Sequence, residues 1–194
     1  MKEKILKEFE ESISVKKRFV NDNADTIIEV ANLIADTFNR GGKLLLFGNG
    51  GSATDASHIA AEFVNRFKME RPAFPAISLN TDIAVLTSIA NDYSYDSVFE
   101  RQLKALGQAG DVVIAISTSG SSPNVIKAVE TAKRKKIKTI AFTGEKGDRL
   151  ASLSDYVFAI PSNNTPRIQE THITLAHVLC QMVEEIVFES HRKK

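Results

Sequence analysis

The sequence predicts an α/β protein: a doubly wound, five-stranded parallel sheet flanked by helices, with two extra N-terminal helices and a long C-terminal helix. Three observations carry this. Lys43 to Phe67 reads as a buried strand (Leu44 to Phe47), a glycine turn (Gly48-Asn49-Gly50-Gly51) and a helix opening at Ser52, so the apolar period passes from 2 to 3.6. Asp111 to Ser117 is a continuous apolar strand that runs into Thr118-Ser119-Gly120-Ser121-Ser122 and a proline-initiated helix. Strands alternate with helices from there on, as in linked βαβ units. No repeat, low-complexity segment or linker divides residues 1–194. They read as a single domain, with 1–40 a helical extension and 41–194 the sheet core and C-terminal helix.

Residues 1–20 place Ile5, Phe9 and Ile13 at i, i+4 and i+8, an amphipathic helix. Asn21-Asp22-Asn23 is expected to break it, and a second helix follows from Asp25 to Asn39, ended by Gly41-Gly42. Ser52 is the expected N-cap of the next helix, with Asp55 completing an approximate capping box. Pro72 to Asn80 gives a short strand. Thr81 is expected to cap a helix over Asp82–Ala90, with Asn91-Asp92-Tyr93 a loop and Asp96–Leu106 another helix. Ser122 before Pro123 is an N-cap followed by proline at the first helical position. Helix Pro123–Lys135, strand Lys138–Thr143, a loop over Gly144–Asp148 and strand Tyr156–Ile160 complete the sheet. In the last helix, Arg167 to about Glu189, the apolar residues Ile168, Ile173, Leu175, Ala176, Cys180, Met182 and Val183 cover most of the circumference. Such a helix is buried, and another subunit is its expected partner.

The composition, 43% apolar and 25% charged, is that of a globular protein. A formal net charge of +1 gives no field that favours nucleic acid or a membrane. Lys133-Arg134-Lys135-Lys136 reads as the solvated end of a helix. Cys180 is alone, so a reducing, cytoplasmic setting is expected. The opening MKEKILKEFEESI lacks the apolar core of a signal peptide, and no stretch is long enough to span a membrane.

The turn after the first strand can be parsed as GxGxxA, but the next strand ends Leu79-Asn80, without the acid a ribose needs. The GK[ST] ending of a P-loop is missing. A glycine turn before a helix N-terminus suits a small anion. A second cradle, the hydroxyl-rich Ser117–Ser122, lies at another strand's end, where α/β sheets bind ligands. His58 and Glu62 stand at i and i+4 on one helix face. Gln169 and His177 sit in the otherwise oily last helix, where unpaired polar groups are costly. These four offer N and O ligands for zinc or another divalent ion, or alternatively a base and acid pair for proton transfer. Gln169 and His177 are roughly 12 Å apart along a regular helix, so joining one centre requires a late helix start or a contribution from a neighbouring subunit. His172 reads as core or as support for the site, and His191 as exposed.

Taken together, GNGGS (Gly48–Ser52), DASHIAAEF (Asp55–Phe63), NDY (Asn91–Tyr93), STSGSS (Ser117–Ser122) and TPRIQETHITLAH (Thr165–His177) resemble the phosphoheptose isomerase family of sugar isomerase (SIS) domain proteins across essentially the whole chain. The resemblance implies conversion of sedoheptulose 7-phosphate to D-glycero-D-manno-heptose 7-phosphate, the first step of nucleotide-activated heptose synthesis for lipopolysaccharide or capsule-type glycans. It also implies a cytoplasmic homotetramer with interface active sites, and one zinc ion per subunit. His58, Glu62, Gln169 and His177 match the metal positions, Glu62 the base and His177 the acid. Asn49, Gly50, Gly51, Glu62, Asn91, Asp92, Ser117, Thr118, Ser119, Ser122 and Gln169 match substrate contacts, and Arg66 is a further one from another subunit. Non-catalytic SIS tetramers that bind the bacterial replication initiator are the alternative; they tend to lose the glutamate and final histidine that this chain has.

Overall fold

The computed structural model describes residues 1–192, with side chains through Phe188, so the expectation for His191 lies outside the described side chains. Five parallel strands form one sheet in the order β2-β1-β3-β4-β5: β1 (Leu44–Gly48), β2 (Ala76–Ser78), β3 (Val112–Ser117), β4 (Lys138–Thr143) and β5 (Tyr156–Ala159). Every residue of β1 and β3 is buried, because helices cover both faces. Alternate residues serve the two sides. Leu44, Leu46, Ile114 and Phe142 pack with α1 (Lys2–Asn39), α2 (Gly51–Val64) and α7 (Thr165–Arg192). Leu45, Phe47, Val113 and Ala141 pack with α3 (Ile83–Asp92), α4 (Val98–Leu106), α5 (Pro123–Arg134) and α6 (Asp148–Leu153). The strand order reverses between β1 and β3, where Gly48 is in register with Ile116. The glycine turn and the serine loop therefore flank the topological switch point, the crevice in which such sheets take ligands.

Several elements differ from their expected form. The two N-terminal helices are one, α1, running through Asn21-Asp22-Asn23. The Asn23 side chain donates to the Phe19 carbonyl within the helix. Asn and Asp cost well under about 1 kcal/mol each in a helix, and packing of Phe19 against Phe158 and of Ile27 and Val30 in the core outweighs them. The N-cap of α2 is Gly50, not Ser52, which is buried, and no capping box forms. Asp82, not Thr81, caps α3 by accepting from the Val85 N–H, and Asn91 and Asp92 belong to that helix rather than to a loop. A 3-10 turn at Tyr95–Ser97 precedes α4. The six-residue α6 stands where only a loop and a strand were expected. Finally, α7 is covered largely within its own chain, by α1 and α2. Val178 and Phe188 on α7 stay partly exposed, and on α1 a stripe of Ile5, Phe9 and Ile13 is more than half accessible.

Candidate active site

Gly50 has φ +56, in the left-handed region that glycine tolerates, and this turns the chain from β1 into α2. Asn80 grips the same turn, accepting from the Gly48 N–H and donating to the Gly48 carbonyl. Beyond it, Asn49 and Asn124 exchange two side-chain hydrogen bonds of 2.9 Å, and the Tyr95 hydroxyl donates to Asn49. The glycine turn and the start of α5 are thus tied together. Asn80, Asn124 and Tyr95 were not singled out from the sequence, because their partners are distant in the chain. Asn49, Gly50 and Gly51 all lie in this turn.

The serine loop closes on itself. Ser117 and Ser122 hydroxyls are 3.0 Å apart, the Gly120 N–H donates to Ser117 Oγ, and the Ser121 N–H and hydroxyl point at Ser119 Oγ. A polar cleft of about 330 Å³ opens beside Thr118, Ser119, Gly144 and Ser162. Glu145, Lys146 and Asp148 line it too, so the hydroxyls of the serine loop, rather than the cleft as a whole, are the neutral groups that suit a phosphate.

The histidine and glutamate group assembles on α2 and α7. His58 Nε2 is 3.1 Å from Glu62 Oε1, and the His58 and His177 rings meet edge to face at 5.1 Å. Phe67 also packs against His177, with ring centroids 5.5 Å apart. One ligand atom from each of His58, Glu62 and His177 lies within 4.8 Å of the others. Atoms sharing a tetrahedral zinc ion lie about 3.4 Å apart, so small side-chain rotations suffice, and the N/O donor set fits the metal. Burial, and secondarily the charge of His58, holds the His177 imidazole below its ordinary pKa, while Glu62 pulls it back up. His177 is consequently neutral near pH 7.

Gln169 stands elsewhere in the same chain. A Cβ on Gly51 would lie 2.6 Å from Gln169 Nε2, so the amide lies against the glycine turn. Since α7 is regular from Thr165 onwards, a late helix start does not bring Gln169 to His177. Asn91 and Asp92 share a hydrogen bond on the exposed end of α3, and Arg66 is exposed, 3.7 Å from Glu70. His172 is core: fully buried, it donates to the Thr143 carbonyl, and desolvation lowers its pKa to about 4.

The sequence matches the family model described as SIS domain over residues 9–144. It is 65% identical over 97% of its length to a phosphoheptose isomerase of Thermodesulfovibrio yellowstonii, covering 94% of that protein. The fold superimposes on a phosphoheptose isomerase structure from Neisseria gonorrhoeae with a TM-score of 0.89, at 40% identity over 95% of this chain and 98% of the other. For a phosphoheptose isomerase from Francisella tularensis the TM-score is 0.91, at 37% identity over 94% and 97% of the two chains.

Proposed function

The chain belongs to the SIS-domain phosphoheptose isomerases, and from that premise we propose that it interconverts sedoheptulose 7-phosphate and D-glycero-D-manno-heptose 7-phosphate through an enediol. We read residues 1–194 as one SIS domain. The observation that carries the chemistry is the meeting of Glu62, His58 and His177 from distant parts of the chain. In this reading the Glu62 carboxylate takes the proton from C1 of the ketose and returns it to C2. His177, through the one ring nitrogen that a bound metal would leave free, would protonate the C2 oxygen as the enediol forms and recover a proton from the C1 oxygen as it collapses. His58, Glu62 and His177 would hold a zinc ion, which when bound supplies Lewis-acid stabilisation of the developing oxyanion. The initiator-binding alternative draws no support from the relatives reported above, which are named as isomerases.

The phosphate belongs with Ser117, Thr118, Ser119 and Ser122 and the turn Asn49-Gly50-Gly51, fixing the register of the sugar. Asn91, Asp92 and Arg66 are further contacts in this reading. From Gly51 to Glu62, α2 advances about 16 Å away from that cradle. The roughly eight bonds between C1 and phosphorus of an extended heptose phosphate span about 10 Å. A chain's cradle and its own Glu62 lie at opposite ends of α2, near the limit of one substrate's reach once about 3 Å of contact at each end is added, and we read each site as shared between subunits of a homotetramer. Gln169, at the cradle end of α7, would then join the metal group of a neighbouring subunit. The exposed apolar stripe of α1 supports association as well. No helix among the described residues is long and apolar enough to cross a membrane. A cytoplasmic setting, and a role in supplying heptose for lipopolysaccharide or capsule-type glycans, follow from the same reading. A coupled assay on sedoheptulose 7-phosphate, with and without added zinc, tests it: turnover is expected, and its absence under both conditions would refute it.

A further inference from the structure

The end of α2 has an uncommon construction. Glu62 and Phe63 lie in its last turn, where backbone carbonyls have no intrahelical partner. The helix does not close with a left-handed glycine; Asn65 follows with φ −83 and ψ −96. Instead, Arg71 reaches back. Its Nη2 donates to the Glu62 carbonyl and its Nη1 to the Phe63 carbonyl, both at 2.9 Å. Its Nε donates to Glu184 Oε1 at 2.7 Å, with only 3% and 1% of the two side chains accessible. The guanidinium lies 4.0 Å over the Phe74 ring.

Glu184 does more than neutralise Arg71. It accepts the backbone N–H groups of Phe67, Lys68 and Met69, so one carboxylate gathers the loop that follows α2. Phe67 is the residue whose ring packs on His177. Glu184 itself lies two turns beyond His177 on α7, on the same face. One side of the ion pair thus fixes the backbone of Glu62, and the other fixes the ring that backs His177. A buried ion pair is a weak source of net stability, because desolvation offsets its attraction. Its consequence here lies in geometry.

Resting on the assignment of Glu62 and His177 as the proton-transfer pair, we infer that Arg71 and Glu184 are positioning residues that set this carboxylate and imidazole against each other. Neither touches the substrate. They bolt the end of α2 to α7, the two elements from which the reacting groups project. Arg71→Lys keeps the charge beside Glu184 but replaces the fork with one ammonium, which cannot hold both carbonyls in the same way. A displacement of about 1 Å at reacting groups costs up to about a hundredfold in rate.

The test is steady-state kinetics and thermal melting of Arg71→Lys and Glu184→Gln in the full chain. Both variants are expected to lose about ten- to hundredfold in kcat while KM for sedoheptulose 7-phosphate stays within about twofold, since the phosphate cradle sits at the other end of α2. Arg71→Lys is expected to melt within a few degrees of the parent, because the ion pair persists. Wild-type kcat in Arg71→Lys would overturn the inference. So would loss of kcat in step with a rise in KM, or loss of fold in both variants, since the pair would then be structural only. Wild-type rates in Glu62→Gln would discard the proton-transfer reading itself. An inactive Glu62→Gln beside a fully active Arg71→Lys discards only the role of the bolt.

Discussion

The imidazole rings of His58 and His177 stand 5.1 Å apart at 73°, although they come from opposite halves of the chain. The contact exists because α2 and α7 run side by side in the same direction: Gly51 meets Gln169 near their starts, and His58 meets His177 further on. With Glu62 bonded to His58, this parallel packing creates a donor group that neither helix has alone.

Dialysis against a chelator is expected to lower both the melting temperature and the activity, and added zinc to restore them. A ligand that binds only the folded state stabilises it by mass action. Indifference of both readouts would leave His58, Glu62 and His177 as a purely proton-transferring group.

The pH profile reports on His177. Burial lowers its pKa from the ordinary 6.5, so the neutral imidazole persists below that pH. The acid limb of kcat/KM that belongs to His177 is expected below pH 6.5. Activity that rises as pH falls through 6.5 would mean that the protonated ring is the working form.

His172 makes stability pH-dependent. Its folded pKa of about 4 lies below 6.5, so the unfolded chain binds the extra proton first. Stability is therefore full above about pH 6.5 and falls as pH drops towards 4, by up to about 3 kcal/mol. Urea unfolding at pH 7 and pH 5 measures this, and His172→Gln should show the smaller loss between the two.

Gly51→Ala separates folding from binding. The new Cβ would lie 2.6 Å from Gln169 Nε2, the tip of a flexible side chain that can swing away. Stability is expected to change by less than about 1 kcal/mol, alanine being the better helix former. Substrate affinity is expected to fall as Gln169 is displaced. Unchanged KM and kcat would remove Gln169 from the site.

Sharing of sites between subunits predicts complementation. Glu62→Gln and Gln169→Ala are each expected to be nearly inactive alone, yet to give measurable activity when co-expressed, because some mixed sites then hold both native residues. Sedimentation should show a mass near four chains of 21.3 kDa. A monomer, or mixtures no more active than their components, would contradict the shared site.

Much of the site was legible in the sequence because its parts are local. The glycine turn, the serine loop and the i, i+4 pair His58–Glu62 are each written within a few residues, and the polar interruptions of the last helix pointed to His177. What the sequence hid is of two kinds. Asn21-Asp22-Asn23 looks like a break, and only the packing of Phe19 and Ile27 on either side of it keeps α1 continuous. The pairs Asn49–Asn124, Asn80–Gly48 and Arg71–Glu184 join distant segments, so no spacing announces them. The short α6 opens at Asp148 after Gly147, both at positive φ, and is too brief to carry a readable period.

The most direct measurement compares kcat of the wild-type protein and Glu62→Gln on sedoheptulose 7-phosphate, with melting temperature recorded in parallel. Removing a general base typically costs a factor of about 10² to 10⁴, whereas the exposed i, i+4 pair with His58 is worth only a few tenths of a kcal/mol. The account predicts that Glu62→Gln folds, melts no lower than the chelated wild-type protein, and shows at least about a hundredfold lower kcat. A Glu62→Gln enzyme that turns over at the wild-type rate would contradict it.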